Sequence, residues 1–460
     1  MLPSAFELVA RYLRANDYHE TLTNFIAEAG LPKDIGARPA DSITIESVLH
    51  EKQTFDTSLN FEKLGIEDKD HGWLAHAPSK PTILKSLPNQ SNILSVSVME
   101  LTLSQVDSPR QYCAVTTADR KLHLLDPTSP TYEVARSYSA FSESPILDVI
   151  AIDKRRILVA SMSGRLALYD TVSDVMLEER KDHSKYVVKI AHYTQDNQVY
   201  IATAGWDAKV FLYQYRVAAE EDGAELGEPR AVLELPSIPE TLLFIEEDDT
   251  PILLVARRDS TFLHYYALPS PMSSAFVCLG KQNLAPHSNA WIAFTPSDIQ
   301  LCPSNPSLVA IATSTTPHMK LLIVRLLIPS NQTALLDANR ELTQASQAQA
   351  ELLIQDREEA AIVVNVSTLA PQTQYSTPRL VWRPDGSGIY LSSDDGLVRG
   401  IEAVTGKLMA TLEGHDAGSK IRCLWAGKIK TSSDSGTDIG SQQEFLISGG
   451  FDQRLIMWHP

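Results

Sequence analysis

Phe445-Leu-Ile-Ser-Gly-Gly-Phe-Asp-Gln-Arg-Leu-Ile-Met-Trp458 reads as two β-runs joined by a tight polar turn. The first run is apolar, the turn is built from Gly and Asp, and the second run ends on a bulky aromatic. The same unit returns at Val199-Tyr-Ile-Ala-Thr-Ala-Gly-Trp-Asp-Ala-Lys-Val-Phe-Leu-Tyr213. In both, the turn aspartate precedes the terminal aromatic by six residues: Asp452 to Trp458 and Asp207 to Tyr213. Weaker copies place Asp119 before Leu125, Ser163 before Tyr169, Asp259 before Tyr265 and Asp395 before Ile401. A further copy fits Leu308–Leu327, with its turn near Pro317.

The turns are spaced 44, 44 and 52 residues apart, then 136, which is two units with an insertion, then 57. Seven units at a period of roughly 40–45 residues are the spacing of β-propeller blades. The units resemble WD repeats over about 375 residues. The resemblance implies a mainly β fold, a seven-bladed WD-repeat propeller over residues 81–460. It also implies a polar tetrad in the last blade: His415 of Gly414-His415, Ser448, Asp452 and Trp458. In the third blade His183, Thr203 and Asp207 match, and Tyr213 stands where the family has Trp. Such a chain satisfies buried polar groups across the strands and fixes the turn.

The sequence stops just after the third strand of blade seven. A propeller closes its ring to avoid an open sheet edge. The run Thr82–Leu87 is therefore expected as the missing outer strand. Residues 330–360, rich in Gln, Ala, Leu and Glu, read as a helical or mobile insertion in blade five. Lys430–Gln443 reads as a flexible loop in blade seven, rich in Ser, Gly and Asp.

The first 65 residues read helical. Ser4 and Glu7 have capping-box spacing, and Ala5, Leu8, Val9, Tyr12 and Leu13 follow a 3.6-residue period. Asn16-Asp17 is a turn, with Asp17 placed to cap a second helix bearing Tyr18, Leu22, Phe25 and Ile26. Gly30 and Pro32 end it. Helices this short are marginal alone in water and need a partner for their apolar faces. The pattern Leu8-x3-Tyr12-Leu13-x4-Tyr18-x2-Thr21-x3-Phe25-x2-Glu28 resembles the lissencephaly-1 homology (LisH) motif. That resemblance implies a helical dimerisation domain over residues 1–35, with Leu8, Tyr12, Leu13, Tyr18, Leu22 and Phe25 at the interface. A further helical segment is expected over 36–70 and a linker over 71–80.

Charge excludes one large class of partner. Lys plus Arg is 40 against 57 for Asp plus Glu, a net charge of −17 with no long basic run, which argues against nucleic acid. No stretch of 18 apolar residues is present, so no membrane span is expected. Residues Glu7, Arg11 and Arg14 fall where a signal peptide would be apolar. Four scattered cysteines, Cys113, Cys278, Cys302 and Cys423, form no CxxC pair. That suits an intracellular, cytoplasmic or nuclear setting and gives no metal site.

Catalytic signatures are missing. Gly400-Ile-Glu-Ala-Val-Thr-Gly406-Lys407 has five residues between its glycines where a phosphate loop has four, and Leu408 follows the lysine. It reads as a turn before an outer strand. Arg155-Arg156 and Arg257-Arg258 are isolated basic pairs. Trp206 and Phe451, beside the turns of blades three and seven, are the candidate partner-binding residues, since exposed aromatics make peptide-binding hot spots. The expectation is a homodimeric, non-enzymatic scaffold without cofactor or metal that binds an unidentified protein partner. The resemblance also admits a substrate-recruiting subunit of a ubiquitin-ligase complex.

Overall fold

The computed structural model describes residues 5–37, 44–45, 73, 77–104, 106, 108–139, 141–217, 225–270, 274–286, 288, 293–329, 344–430 and 442–460. The chain divides into two compact units, Met1–His71 and Gly72–Pro460. The expected third helix over 36–70 lies almost wholly outside the described residues, as does Ser4.

In the first unit, helices span Ala5–Ala15 and His19–Glu28. The expected cap from Asp17 is not made. Asp17 takes the left-handed turn itself, with φ of 58°, and Tyr18 becomes the N-cap without a side-chain bond. The chain beyond Gly30 returns onto the first helix. Arg14 donates to the carbonyls of Lys33 at 2.6 Å and Ile35 at 3.0 Å. Gly36, at φ +73°, lies so close that a Cβ would sit 2.8 Å from the Arg11 amide nitrogen.

The second unit is a closed ring of seven four-stranded antiparallel sheets among the described residues. Blades one to six span residues 93–138, 146–180, 187–234, 239–283, 296–371 and 380–413, and blade seven spans 421–459 with 80–83. The second strand of each blade is sandwiched between neighbouring blades, so it is apolar on both faces. Arg156–Ser161, for example, is buried at every position. Outer strands meet solvent and mix polar with apolar residues, as in Val175–Arg180.

The ring closes between the two ends of this unit. Lys80–Ile83 pairs antiparallel with the third strand of blade seven, Lys80 opposite His459 and Ile83 opposite Ile456. The strand begins two residues before the expected Thr82 and ends earlier. Within the expected linker 71–80, Trp73 packs on blade six. Its ring lies edge-on to Tyr390, centroids 5.4 Å apart. It occupies the space above Gly388 and Gly400, where a Cβ would meet it at 2.4 and 2.5 Å.

The insertion in blade five is a helix, Gln344–Ala360, between the third and outer strands. Residues 330–343 lie outside the described set. Glu358 anchors the helix to blade four by accepting the Asn283 amide at 2.7 Å. Of the expected loop Lys430–Gln443, its ends Lys430, Gln442 and Gln443 are strand residues, and 431–441 lie outside the described residues. Residues 403–407 form the expected turn before an outer strand.

Candidate functional site

In blade seven the four polar residues form one continuous chain. Trp458 Nε1 donates to Ser448 Oγ at 2.9 Å, and Ser448 lies 2.8 Å from His415 Nε2. His415 Nδ1 faces both Asp452 oxygens at 3.0 and 2.9 Å. A carboxylate only accepts, so the proton sits on Nδ1 and the serine hydroxyl donates to Nε2. Asp452 also takes the amides of Asp416 and Arg454 at 3.0 and 3.2 Å. Burial works against its charge, but these hydrogen bonds hold the Asp452 carboxyl below the usual range.

Blade three repeats the arrangement with a different end. His183 Nδ1 faces Asp207 at 3.0 Å and Nε2 faces Thr203 Oγ1 at 2.9 Å. Tyr213, standing where Trp would be, turns its hydroxyl to Asp182 at 2.8 Å. Asp182 is in turn held by Arg180 at 2.8 Å. Burial pushes the His183 pKa down, so the ring stays neutral as the chain requires.

The weaker copies use their turn residues otherwise. Asp395 pairs with Arg399 at 2.6 Å, and Asp119 takes the Thr117 hydroxyl at 2.5 Å. Ser163 meets Ser161 at 2.9 Å. Asp259 takes a left-handed backbone itself, φ 56°, whereas in blades one, three and seven that conformation falls on the next residue, Arg120, Ala208 and Gln453.

Around one face of the ring, the residue before each turn occupies an equivalent place. Ala118, Met162, Trp206, Arg258, Ser314 and Phe451 each donate their amide to the carbonyl just before their blade's innermost strand, at 2.7–2.9 Å. In blade three that carbonyl belongs to Tyr186, so Tyr186 and Trp206 are forced together. Their rings stack at 5.1 Å and 30°. Arg258 of blade four lies over the Trp206 ring at 5.4 Å and is steadied by Glu240 at 2.6 Å. Trp206 stays 37% exposed, so blades three and four present an aromatic surface edged by a cation, and Met162 is also 37% exposed at the equivalent position of blade two.

Phe451 is 43% exposed at the same position in blade seven. Blades three and seven do not adjoin, so Trp206 and Phe451 form two separate patches. Sequence reading missed Tyr186 and Met162. Their signal was positional, one residue before an innermost strand and one before a turn. In the Arg155-Arg156 pair, Arg155 bonds Asp170 at 2.6 Å and the buried Arg156 bonds Asp153 at 3.2 Å.

On the helices, Leu22 is buried within the single chain, and Leu8, Leu13 and Phe25 are half-buried. Tyr12 and Tyr18 are exposed, their rings 6.4 Å apart, and the exposed Phe6 lies 6.3 Å from Phe25.

A helical pair joined to a closed seven-bladed ring defines the class: a LisH and β-propeller protein, an architecture suited to protein interaction. The beta-propeller domain of UCP007778 matches residues 85–459, and the LisH domain of UCP007778 matches residues 7–32. The chain belongs to the UCP007778 family. No curated protein matches it. Among the described residues, no helix is long and apolar enough to cross a membrane.

Proposed function

We propose that the protein is a non-enzymatic scaffold in which the LisH helices pair two copies and each propeller binds a partner protein. The observation that carries the reading is the aromatic surface of the helices: Phe6, Tyr12 and Tyr18 are 53%, 36% and 51% exposed in the single chain. Side chains of this kind are the anchors of protein interfaces. The second surface is Met162, Tyr186, Trp206 and Arg258, a composition enriched at binding hot spots. Joining two such surfaces raises avidity through effective concentration without any new contact.

The test is molar mass in solution by light scattering, on the full chain and on a Tyr12→Asp, Tyr18→Asp variant. Both residues are exposed, so the single chain tolerates the charges. Twice the chain mass, halved in the variant, supports the reading. A monomer in both sinks the pairing.

A further inference from the structure

The centre of the ring holds a cavity of about 350 Å³, walled by the innermost strands of six blades. Five charged side chains line it: Asp148, Lys189, Asp298, Arg379 and Arg422. Both carboxylates are already engaged. Asp148 accepts the amides of Val149 at 3.1 Å and Ile190 at 2.8 Å, tying blade two to blade three. Asp298 accepts the Leu380 amide at 3.1 Å and faces Arg379 at 3.6 Å, tying blade five to blade six.

Arg422 is different. It is the extra residue of a β-bulge in the innermost strand of blade seven, between Ile421 and Cys423. The corresponding bulge residues of blades one to three are Leu94, Leu147 and Val188, which line the same cavity with apolar side chains. The Arg422 Nη1 atom is buried and has no hydrogen-bond partner. Burial, and then the neighbouring Arg379, pull its pKa down to about 10, so the guanidinium is still charged at neutral pH. Arg422 as a whole is half-buried, but its buried Nη1 donor is costly to leave unmade, and the Asp298 and Asp148 carboxylates offset only part of the burial and of the repulsion from Arg379.

We propose that the channel binds a phosphate group between Arg422 and Arg379. Two guanidinium groups from adjacent blades offer forked donors that match a tetrahedral oxyanion. With Lys189 the lining carries three cations against two engaged carboxylates, which favours an anion. The phosphate is either the free ion or one end of a small phosphate ester, since the chemistry recognised is the same.

Isothermal titration of the full chain with inorganic phosphate, and separately with glycerol 3-phosphate, tests this at fixed ionic strength in chloride. The expected result is saturable one-to-one binding of at least one of them. Tighter binding of the ester identifies a phosphate compound as the ligand; equal or tighter binding of phosphate identifies the free ion. Arg422→Gln should weaken binding about tenfold or more, the loss expected for a charge-assisted hydrogen bond. Arg422→Lys keeps the charge but not the fork, and should fall between. Line broadening of the phosphate ³¹P resonance by the unaltered chain gives a readout that needs no variant. Absence of saturable binding in both titrations, or unchanged affinity in Arg422→Gln and Arg422→Lys, overturns the proposal.

Discussion

Replacing Glu444 with alanine tests the seam between blades six and seven. Arg383 of blade six is 1% exposed, and its Nε and Nη2 donate to the two Glu444 oxygens of blade seven at 3.0 and 2.8 Å. Trp73 covers the guanidinium, its ring centroid 4.8 Å away. Burial opposes the Arg383 charge, yet the Glu444 carboxylate holds its pKa above the usual value. Without Glu444, the guanidinium keeps only Ser387 Oγ at 3.1 Å and Asp385 at 3.7 Å. Removing one member of a buried pair costs about 3–5 kcal/mol, because the other is left charged and unpaired. Asp385, whose Oδ2 lacks a hydrogen bond, offsets part of that, so Glu444→Ala should cost about 3 kcal/mol.

Apolar replacement of both members removes the stranded charge. An Arg383→Met, Glu444→Leu chain should therefore stay within about 1 kcal/mol of the original. The assay is urea unfolding followed by tryptophan fluorescence, run on Glu444→Ala and on the cycle formed by Arg383→Met, Glu444→Leu and their double variant. A loss below about 1 kcal/mol for Glu444→Ala, or equal losses in the single and double variants, refutes the argument.

Asp452→Ala should cost about 2 kcal/mol in the same assay, since it strands His415 Nδ1 and the amides of Asp416 and Arg454, whereas Asp259→Asn should change little. Trp73→Ala opens the space above Gly388 and Gly400 and should cost about 3 kcal/mol, also read from the urea midpoint. Stability should fall on acidification below about pH 6.5, because burial holds His123, His183, His192, His264 and His459 below their ordinary pKa. The unfolded chain then takes up protons that the folded chain refuses, and the loss levels off only below the folded values. His264, lowered from 6.5 to about 4, should account for about 2 kcal/mol after allowance for its partial exposure. A urea midpoint that is flat from pH 7.5 to 4.5 contradicts this.

The ring was legible because each blade repeats a local demand: two strands and a turn with an unusual backbone. Asp452-Gln453 and Asp207-Ala208 answer it in the same way, and their spacing survives where the side chains diverge. Asp259 shows the limit. Its letter matches the repeat, but its residue supplies backbone conformation and no histidine partner. The closing strand was misplaced by two residues because Lys80–Ile83 is exposed at every position and so has no apolar pattern to fix its register. Trp73, Glu444 and Arg422 were silent for another reason. Trp73 meets glycines far along the chain, Glu444 meets a residue on another blade, and Arg422 matters because a bulge turns it into the channel.

Several polar devices of the propeller sit where closing the ring is hardest. Turns of a few residues join the second and third strands within each blade, but Lys80–Ile83 must find a strand nearly the whole chain away, and Lys80 bonds the Pro460 carbonyl 380 residues on. Closing a loop of that length costs roughly 5 kcal/mol of chain entropy. Four residues of pairing with exposed side chains bury too little to offset it. Blade seven and its seam hold the remainder: the complete Trp458-Ser448-His415-Asp452 chain, the Arg383–Glu444 pair and the Trp73 cover over it. The tetrad lies within residues 415–458 and the Arg383–Glu444 pair within blades six and seven, so only the Trp73 cover adds a residue from the chain ahead of blade one. The tetrad and the ion pair therefore hold blade seven in shape and against blade six, so that Lys80–Ile83 meets a preformed edge strand, Leu455–His459. On this account the complete tetrad of blade seven fixes the edge on which the ring closes, while blade three keeps its own His183-Thr203-Asp207 chain without that demand.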